Sequence, residues 1–338
     1  MSESLLDLDA LANWLGDRGL ARGAVRAQPI GDGHSNPTFL VEDGNRRLVL
    51  RRPPPPPLPR GANDVLREAR VLRALAGTDV PVPAVVAVAE AGELLDVPFY
   101  VMDHVDGAVC TESLPADLDD PAGHQGVGEA LVDVLVGLEQ VDLHAVGLDD
   151  FGNPDGYLHR QLERLPRLIA AADGSLPEPF ARLRAELRAT MPEPGRTGLV
   201  HGDLRLGNVM LARDAPPRIL AVLDWELATI GDPLADLGYT LATYAQPDEP
   251  LHALTAMSSA TLGDGFPTRA ELACRYSHAT GREISALPWY QTFALFKLAV
   301  LFEYSRRRGS DPYYQDPRHV DGLLAAAHTA LSMRRSIR

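Results

Sequence analysis

Four polar residues in one segment of the chain have the types and spacing that phosphoryl transfer needs. They are His201, Asp203, Asn208 and Asp224, and a predicted hairpin separates the last two. Phosphoryl transfer uses a carboxylate that orients or deprotonates the acceptor hydroxyl, and oxygen ligands for magnesium that bridges the nucleotide phosphates. A His-Gly-Asp turn or an Asp-Trp-Glu string alone also occurs by chance in acidic proteins. Their combination at hairpin spacing predicts a site where these oxygens converge.

A glycine-containing turn near the beginning of the sequence is a candidate phosphate-binding loop. It contains Gly31, Gly33, Ser35 and Asn36 and lies between two predicted strands. Glycines allow backbone N–H groups to approach phosphate oxygens closely. An ordinary hairpin turn is the alternative interpretation, and the residues alone leave it open.

A basic residue, Arg51, ends the predicted strand that follows this turn. It lies on the same strand face as Val49, because side chains alternate across a strand. Arginine keeps a permanent charge and a bidentate fork, both suited to phosphate or carboxylate groups. We predict an ion pair with Glu68 in the next helix, since an unpaired guanidinium in a cleft would be costly. A solvated helix charge is the alternative for Glu68.

The N-terminal third is predicted to be a small α+β unit that positions these residues. A helix is predicted near 5–14, strands within 25–50, a helix over 63–75 and two further strands before Gly107. The helix over 63–75 places its apolar residues on one face: Val65, Leu66, Ala69, Leu72 and Leu75.

Beyond Gly107 the hydrophobic pattern becomes helical. One β-rich segment interrupts it and carries the residues from His201 to Asp224. The candidate helices lie at 127–140, 156–172, 179–190, 233–244, 269–280, 288–308 and 320–332.

Composition limits the classes of protein to which the chain can belong. The formal net charge is −14, which disfavours nucleic-acid partners because phosphate binding requires a basic surface. The only cysteines, Cys110 and Cys274, lack neighbours at ligand spacing, which argues against a disulfide framework or a zinc site. No apolar stretch reaches the roughly 20 residues of a membrane span, and the first residues lack a secretory signal pattern. We therefore expect a cytoplasmic protein with no membrane partner, and the sequence indicates no oligomeric state.

Several separated strings resemble the aminoglycoside phosphotransferase and protein-kinase-like superfamily. They are GDGHSNPTFLV, LVLRRPP, LREARVLRAL, VPFYVMDHVDG, VHGDLRLGNVM and AVLDWELATIGDPLADLG. The closest form is similar to the kinase-like domain attached to some acyl-CoA dehydrogenases. The resemblance implies an α+β, bilobal, protein-kinase-like fold with a small β-sheet lobe and a larger helical lobe. It places a nucleotide-binding lobe at 1–103, a hinge at 104–108 and a mainly helical lobe at 109–338.

The resemblance also implies roles for the residues of the β-rich segment. Asp203 would be the catalytic base and His201 an organiser of its loop, while Asn208 and Asp224 would bind Mg²⁺. Asp236 resembles an aspartate that begins a helix and holds the loop backbone.

In the N-terminal lobe, the resemblance implies nucleotide contacts. The glycine turn would cover the phosphates, and backbone groups near Asp103 and Val105 would bind the adenine edge. Arg51 stands where kinases have a lysine paired with a glutamate, here Glu68. An arginine looks usual at this position in the subfamily.

The function implied is transfer of the γ-phosphate of ATP or GTP to a hydroxyl of a small molecule. The stretch between Asp224 and the helix near Pro233 is too short for a protein-kinase activation segment. Acceptors considered are a hydroxyacyl-CoA, an aminoglycoside, and a ketosamine or choline-like alcohol. The alternative is a nucleotide-binding pseudokinase or scaffold, favoured by Arg51 and opposed by the retention of Asp203, Asn208 and Asp224 together.

Overall fold

A computed structural model of the chain describes residues 5–31, 36–57, 63–247, 249, 258–309 and 311–336. The chain divides into two compact units, Met1–Asp106 with Ala221–Glu226, and Gly107–Leu220 with Leu227–Arg338. The sequence predicted an uninterrupted C-terminal lobe from 109, whereas Ala221–Glu226 packs within the first unit. The domain boundaries proposed from sequence stay predictions.

The first unit is built on a five-stranded antiparallel sheet in the order β1-β2-β3-β5-β4. One face packs on a core that contains Trp14, Phe39, Leu50 and Phe99. The predicted five strands are confirmed, and the α+β class with them. Their bounds are Arg26–Pro29, Thr38–Glu42, Arg47–Arg51, Val85–Ala89 and Phe99–Asp103 for β1 to β5.

Two helices complete the first unit, and each begins at an aspartate that caps it. Helix α1 spans Leu8–Gly16, and the Asp7 carboxylate accepts hydrogen bonds from two of its first N–H groups. Helix α2 spans Val65–Leu75, and Asp64 accepts from the Arg67 N–H. Such caps satisfy backbone donors that have no partner within the helix. The apolar face predicted for α2 is buried except for Leu66, which is half-buried.

The second unit is mainly helical, as the hydrophobic pattern indicated. Every residue of α6 is buried, and no helix in the described ranges is long and apolar enough to cross a membrane. The helices are α3 Pro121–Gln140, α4 Tyr157–Arg164, α5 Glu178–Ala189, α6 Leu234–Thr243, α7 Arg269–Thr280, α8 Leu287–Arg308 and α9 Pro317–Ser336.

The helix predicted over 156–172 is wrong in its second half. Helix α4 ends at Arg164, and a 3-10 turn follows over Leu165–Leu168. Pro166 has no N–H to donate and its ring crowds the preceding turn, so the α-helix cannot continue through it.

Four short strands frame the candidate site. Strand β6 (Gly198–Val200) pairs with β9 (Thr229–Gly231), with Val200 opposite Thr229. Strands β7 (Val209–Leu211) and β8 (Ile219–Val222) form a second two-stranded sheet. Strand β6 leads directly into His201, so the start of the loop over residues 201–208 is fixed by sheet pairing.

Candidate functional site

In the first unit, Arg51 bridges two acidic residues from different segments. Its Nε atom donates to Glu68 Oε2 at 2.7 Å, and a terminal nitrogen donates to Asp224 Oδ1 at 2.7 Å. The same nitrogen lies 3.9 Å from Glu226 Oε2. The predicted ion pair between Arg51 and Glu68 is therefore present, and the first unit brings Asp224 beside it.

Glu68 is held by donors on both carboxylate oxygens. Besides Arg51, the Asn36 amide donates to Oε1 at 2.7 Å and the Tyr100 hydroxyl donates to Oε2 at 3.2 Å. Only 2% of the Glu68 side chain is exposed. Burial raises the pKa of Glu68 to about 7, with the Arg51 charge acting in the opposite direction.

The Arg51 guanidinium stays charged in this cluster. Burial is the largest single effect and acts to lower its pKa, but the acidic groups around it, Glu68 first, together outweigh burial and the net pKa is raised. One cation thus faces three carboxylates, those of Glu68, Asp224 and Glu226. The excess negative charge suits an added cation.

Asp224 adopts a backbone conformation that few non-glycine residues take. Its φ is +63°, in the left-handed region that aspartate tolerates better than most residues. The next residue, Trp225, is buried, and its indole N–H donates to the Val222 carbonyl at 3.0 Å. This bond fixes the turn that presents the Asp224 carboxylate.

The candidate phosphate loop is only partly described, because Gly33 and Ser35 lie outside the described residues. Gly31 has a φ of +72°, which favours glycine. The Asn36 amide donates to Glu68 and accepts from Asn63 at 2.9 Å. The Asn36 side chain therefore supports Glu68, and a phosphate contact from this loop stays a prediction.

The predicted adenine-binding positions lie at and after the end of β5. The Asp103 N–H already donates to the Ala84 carbonyl at 2.9 Å, and the Asp103 carboxylate pairs with Arg46 at 2.7 Å. Within the described part of the chain, the backbone groups of Val105 make no hydrogen bond. Nucleotide contacts at these two positions stay a prediction. The backbone of Val105 suits such a contact better than the Asp103 N–H, which already has a partner.

In the second unit, Asp236 anchors the start of the loop over residues 201–208. It lies in the first turn of α6, and its carboxylate accepts from the N–H of His201 at 2.6 Å and of Gly202 at 2.8 Å. Burial raises its pKa, while these two hydrogen bonds act in the opposite direction. The helix-start role implied for Asp236 agrees with this geometry.

The side chain of Asp203 is oriented by its neighbours along the loop. The Asn208 amide nitrogen donates to the Asp203 carbonyl and to Oδ2, each at 2.8 Å. The Asp203 N–H donates to His201 Nδ1 at 3.1 Å. His201 is fully buried, whereas 22% of the Asp203 side chain is exposed. His201, Asp203 and Asn208 therefore come together, with the Asp203 carboxylate accessible.

Three residues beside this loop were missed by sequence reasoning. The Tyr239 hydroxyl donates to Asp203 Oδ1, the Lys297 ammonium donates to the Gly202 carbonyl, and Arg205 Nε lies 3.8 Å from Asp203 Oδ1. Signals existed for two of them. Tyr239 follows Asp236 by three residues on one helix face, and Lys297 is the only lysine of the sequence, within an apolar helix.

Asn208 of the second unit and Asp224 of the first unit each offer an oxygen of the kind that magnesium prefers. The Asn208 nitrogen is used by Asp203, which leaves its amide oxygen as the ligand atom, and Arg51 contacts one oxygen of Asp224. In the described residues, no group of three or more His, Cys, Asp or Glu could hold a metal ion. Protein-bound Mg²⁺ commonly takes only one or two carboxylates, with phosphates and waters completing its shell. Convergence of Asn208 and Asp224 stays a prediction.

Comparison with known proteins places the chain among phosphotransferases. The model of the phosphotransferase enzyme family matches residues 26–272. Acyl-CoA dehydrogenase family member 10 of Mus musculus is 34% identical over 303 residues, covering 87% of this chain and 28% of that protein. Family member 11 of Rattus norvegicus is 33% identical over 292 residues, covering 84% and 37%. The chain thus spans well under half the length of these relatives.

Solved structures agree in fold. A Ralstonia eutropha JMP134 protein, described provisionally as an aminoglycoside phosphotransferase, has a TM-score of 0.77 at 29% identity, covering 96% of this chain and 98% of that one. A thermostable mutant of an aminoglycoside phosphotransferase, in a complex with ADP and hygromycin B, has a TM-score of 0.60 at 14% identity, covering 94% and 98%. The predicted kinase-like fold is confirmed, and the chain belongs to the phosphotransferase enzyme family.

Proposed function

We propose that this chain transfers the γ-phosphate of ATP or GTP to a hydroxyl group of a small molecule, with Mg²⁺. The observation that carries the proposal is the accessible Asp203 carboxylate, fixed by Asn208 and by a loop that Asp236 anchors. A general base must hold one orientation relative to the hydroxyl that it deprotonates. The Arg51 cluster of the first unit supports nucleotide binding by supplying a permanent cation.

In this mechanism, Asp203 orients the acceptor hydroxyl and receives its proton. Asn208 and Asp224 would hold magnesium through an amide oxygen and a carboxylate. When bound, the ion would neutralise negative charge on the transferred phosphoryl group. Arg51 is proposed to contact nucleotide phosphates while it retains its bond to Glu68.

We predict that Asp203→Asn removes most turnover and leaves nucleotide binding intact. Loss of a general base lowers kcat by a factor of about 10² to 10⁴, and the amide preserves the shape of the side chain. Phosphate transfer and nucleotide affinity are measured on the same preparations. Full activity in the variant would refute Asp203 as the base.

Isothermal titration with ATP and with GTP, each with and without Mg²⁺, tests the donor and the metal. We expect magnesium-dependent binding that Asp224→Ala abolishes. Asp214→Ala is the matched control, because Asp214 is exposed and pairs with Arg218 four residues away. The absence of nucleotide binding in a folded sample would instead favour a scaffold. Nucleotide binding without transfer to any acceptor would favour a pseudokinase, for which the contact between Arg51 and Asp224 is the specific support.

The acceptor is proposed from the relatives rather than from charge. Names of the sequence relatives refer to acyl-CoA dehydrogenases, which supports testing hydroxyacyl-CoA thioesters first. Aminoglycosides are the second class to test, because a structural neighbour holds hygromycin B. The arginine run at the end of α8 adds no support for an anionic acceptor, since Arg306 and Arg307 both bond to Glu303 at 2.8 and 2.7 Å.

A further inference from the structure

Two residues outside the implied catalytic set contact the Asp203 region directly. Tyr239 lies on α6 and its hydroxyl donates to Asp203 Oδ1, while Asn208 donates to the other oxygen, Oδ2, at 2.8 Å. Each carboxylate oxygen therefore has its own donor. Two donors in different directions fix the rotation of a carboxylate about its bond to the rest of the side chain. Burial raises the pKa of Tyr239, so its hydroxyl remains a donor.

The second residue, Lys297, holds the backbone at the same point. Its ammonium donates to the Gly202 carbonyl, which belongs to the peptide that joins Gly202 to Asp203. The ammonium also lies 5.1 Å from the centre of the Tyr239 ring, within the range of a cation–π interaction. Burial lowers the pKa of Lys297, and the carboxylates of Asp203 and Asp236 oppose that effect.

A purely structural role explains these contacts less well than a role in the reaction. An ammonium in a helix of mostly buried apolar residues costs desolvation energy that an apolar side chain would avoid. Lys297 is also the only lysine in a sequence that otherwise uses arginine. A compact ammonium can contact one carbonyl and one ring face at the same time. The guanidinium of arginine is a wider, planar fork, so it would fit this space differently.

We propose that Tyr239 and Lys297 are positioning residues for Asp203: the hydroxyl fixes the carboxylate and the ammonium fixes the peptide that carries it. The inference rests on the proposed function, because it assigns Asp203 to the acceptor hydroxyl. Neither residue is proposed to touch the nucleotide. Misplacement of a catalytic group by about 1 Å can cost about 100-fold in rate, so loss of either support should appear in kcat.

The first test measures ATP hydrolysis by the full chain with Mg²⁺ and water as the acceptor. We expect Tyr239→Phe and Lys297→Met each to lower kcat by about 10- to 100-fold with little change in KM for ATP. Lys297→Arg should recover part of the loss, because it retains a cationic donor. Tyr276→Phe is the matched control, since the buried Tyr276 also donates its hydroxyl to a carboxylate, that of Glu139, which is not part of the loop over residues 201–208.

Chemical rescue distinguishes a local role of the ammonium from a general effect on folding. Lys297 lines a pocket with Tyr157, Gly202, Tyr239 and Phe293, so small molecules can reach the space that Lys297→Ala would open. Methylammonium should raise kcat of this variant in a saturable manner and leave the wild type unchanged. A folded Lys297→Ala protein that is slow and not rescued would make Lys297 structural and overturn its part of the proposal.

A readout that does not depend on turnover follows from the single lysine. Lysine labelled with nitrogen-15 at Nζ alone gives one side-chain NMR signal from this sequence, that of Lys297. Tyr239→Leu should move that signal by removing the ring current, and Asp203→Asn should move it by removing a charge. Tyr276→Phe should leave it in place. An unmoved signal in both of the first two variants would overturn the proposed contacts.

The measurements distinguish a failure of the positioning role from a failure of the proposed phosphotransferase function. If the wild type hydrolyses ATP and Asp203→Asn does not, but Tyr239→Phe and Lys297→Met retain full kcat, the positioning role alone is overturned. If the wild type neither binds nor turns over nucleotide, the phosphotransferase function fails and the positioning role fails with it.

Discussion

At the scale of single residues, Arg51 does what a lysine in its place could not do in the same way. Its Nε and one terminal nitrogen each bond to a different carboxylate, of Glu68 and of Asp224. A lysine has one nitrogen, so a single atom would have to serve both. An arginine at the position where kinases have a lysine can therefore bond to two acidic partners at once.

We predict that Arg51→Met destabilises the protein by about 3–5 kcal/mol, because it leaves the buried Glu68 without its charge partner. Arg47→Met on the same strand is the control. Arg47 pairs with Asp106 at 3.2 Å, with 48% and 67% of the two side chains exposed, and such pairs contribute about 0–1 kcal/mol. Denaturant unfolding measures both variants. Equal losses would show that Arg51 makes no buried pair.

The Glu68 carboxyl should make stability depend on pH. Its folded pKa is raised to about 7 from the ordinary value of 4.5 for glutamate, so the folded state holds this proton more tightly than the unfolded state. The contribution of the Glu68 carboxyl to the free energy of unfolding is fully present below pH 4.5 and is lost as the pH rises through 7. We therefore expect the stability of the wild type relative to Glu68→Gln to fall between about pH 5 and pH 8. A relative stability that rises over this range would show that Arg51 dominates over burial.

Residue types predicted the acidic and amide members of the site but not all of its contacts. The pairing of Arg51 with Glu68 could be predicted from their positions in a strand and in the helix that follows it. The role of Asp236 could be predicted from its place at the start of a helix. Asn36 was expected at phosphate, but the fold buries its amide against Glu68. Tyr239 shares a helix face with Asp236, but its contact with Asp203 also depends on how α6 packs against the loop, which that spacing alone does not determine.

At the scale of elements, the bounds of a helix could be predicted where the sequence contains capping residues at both of its ends. Helix α7 spans Arg269–Thr280 as predicted, because Thr268 and Glu271 form a reciprocal capping box and Gly281 ends the helix in the left-handed region. Strands β6 and β9 have three residues each, too few for an alternating pattern. Their existence depends on pairing with each other across the chain.

Helix α3 offers a test of close packing with two identical substitutions. A Cβ on Gly128 would lie 2.5 Å from a Pro267 ring carbon, whereas one on Gly126 would lie 3.0 Å from a Pro217 ring carbon. We expect Gly128→Ala to destabilise by about 1–3 kcal/mol through overpacking, despite the helix propensity of alanine. Gly126→Ala should lie within about 1 kcal/mol of the wild type, since the gain in propensity offsets a small shift of Pro217. Thermal and denaturant unfolding compare them, and equal stability would contradict the packing argument.

At the scale of the whole molecule, composition and pattern order predicted the α+β class and the change from strands to helices. The membership of Ala221–Glu226 in the first unit was not predictable. Its hydrophobic residues would suit either core, and the choice depends on contacts between residues far apart in sequence. The Val222 N–H, for example, donates to the Pro81 carbonyl at 2.8 Å.

The net charge leads to a prediction about partners. With a formal charge of −14 and a pI of about 5.1, the surface should repel nucleic-acid phosphates. We expect no shift of duplex DNA or of single-stranded RNA in electrophoresis at physiological salt. A salt-sensitive shift with micromolar affinity would reveal a basic patch and contradict this expectation.

The indole of Trp225 follows Asp224 directly and lies in a buried, hydrogen-bonded turn. The sequence has only three tryptophans, and the other two, Trp14 and Trp289, are buried. Replacing those two by phenylalanine would leave Trp225 as the one tryptophan, which can be excited at wavelengths that tyrosine does not absorb and whose emission senses the polarity beside the proposed metal ligand. The protein thus carries a built-in optical reporter for titrations with nucleotides and divalent ions, without any added dye.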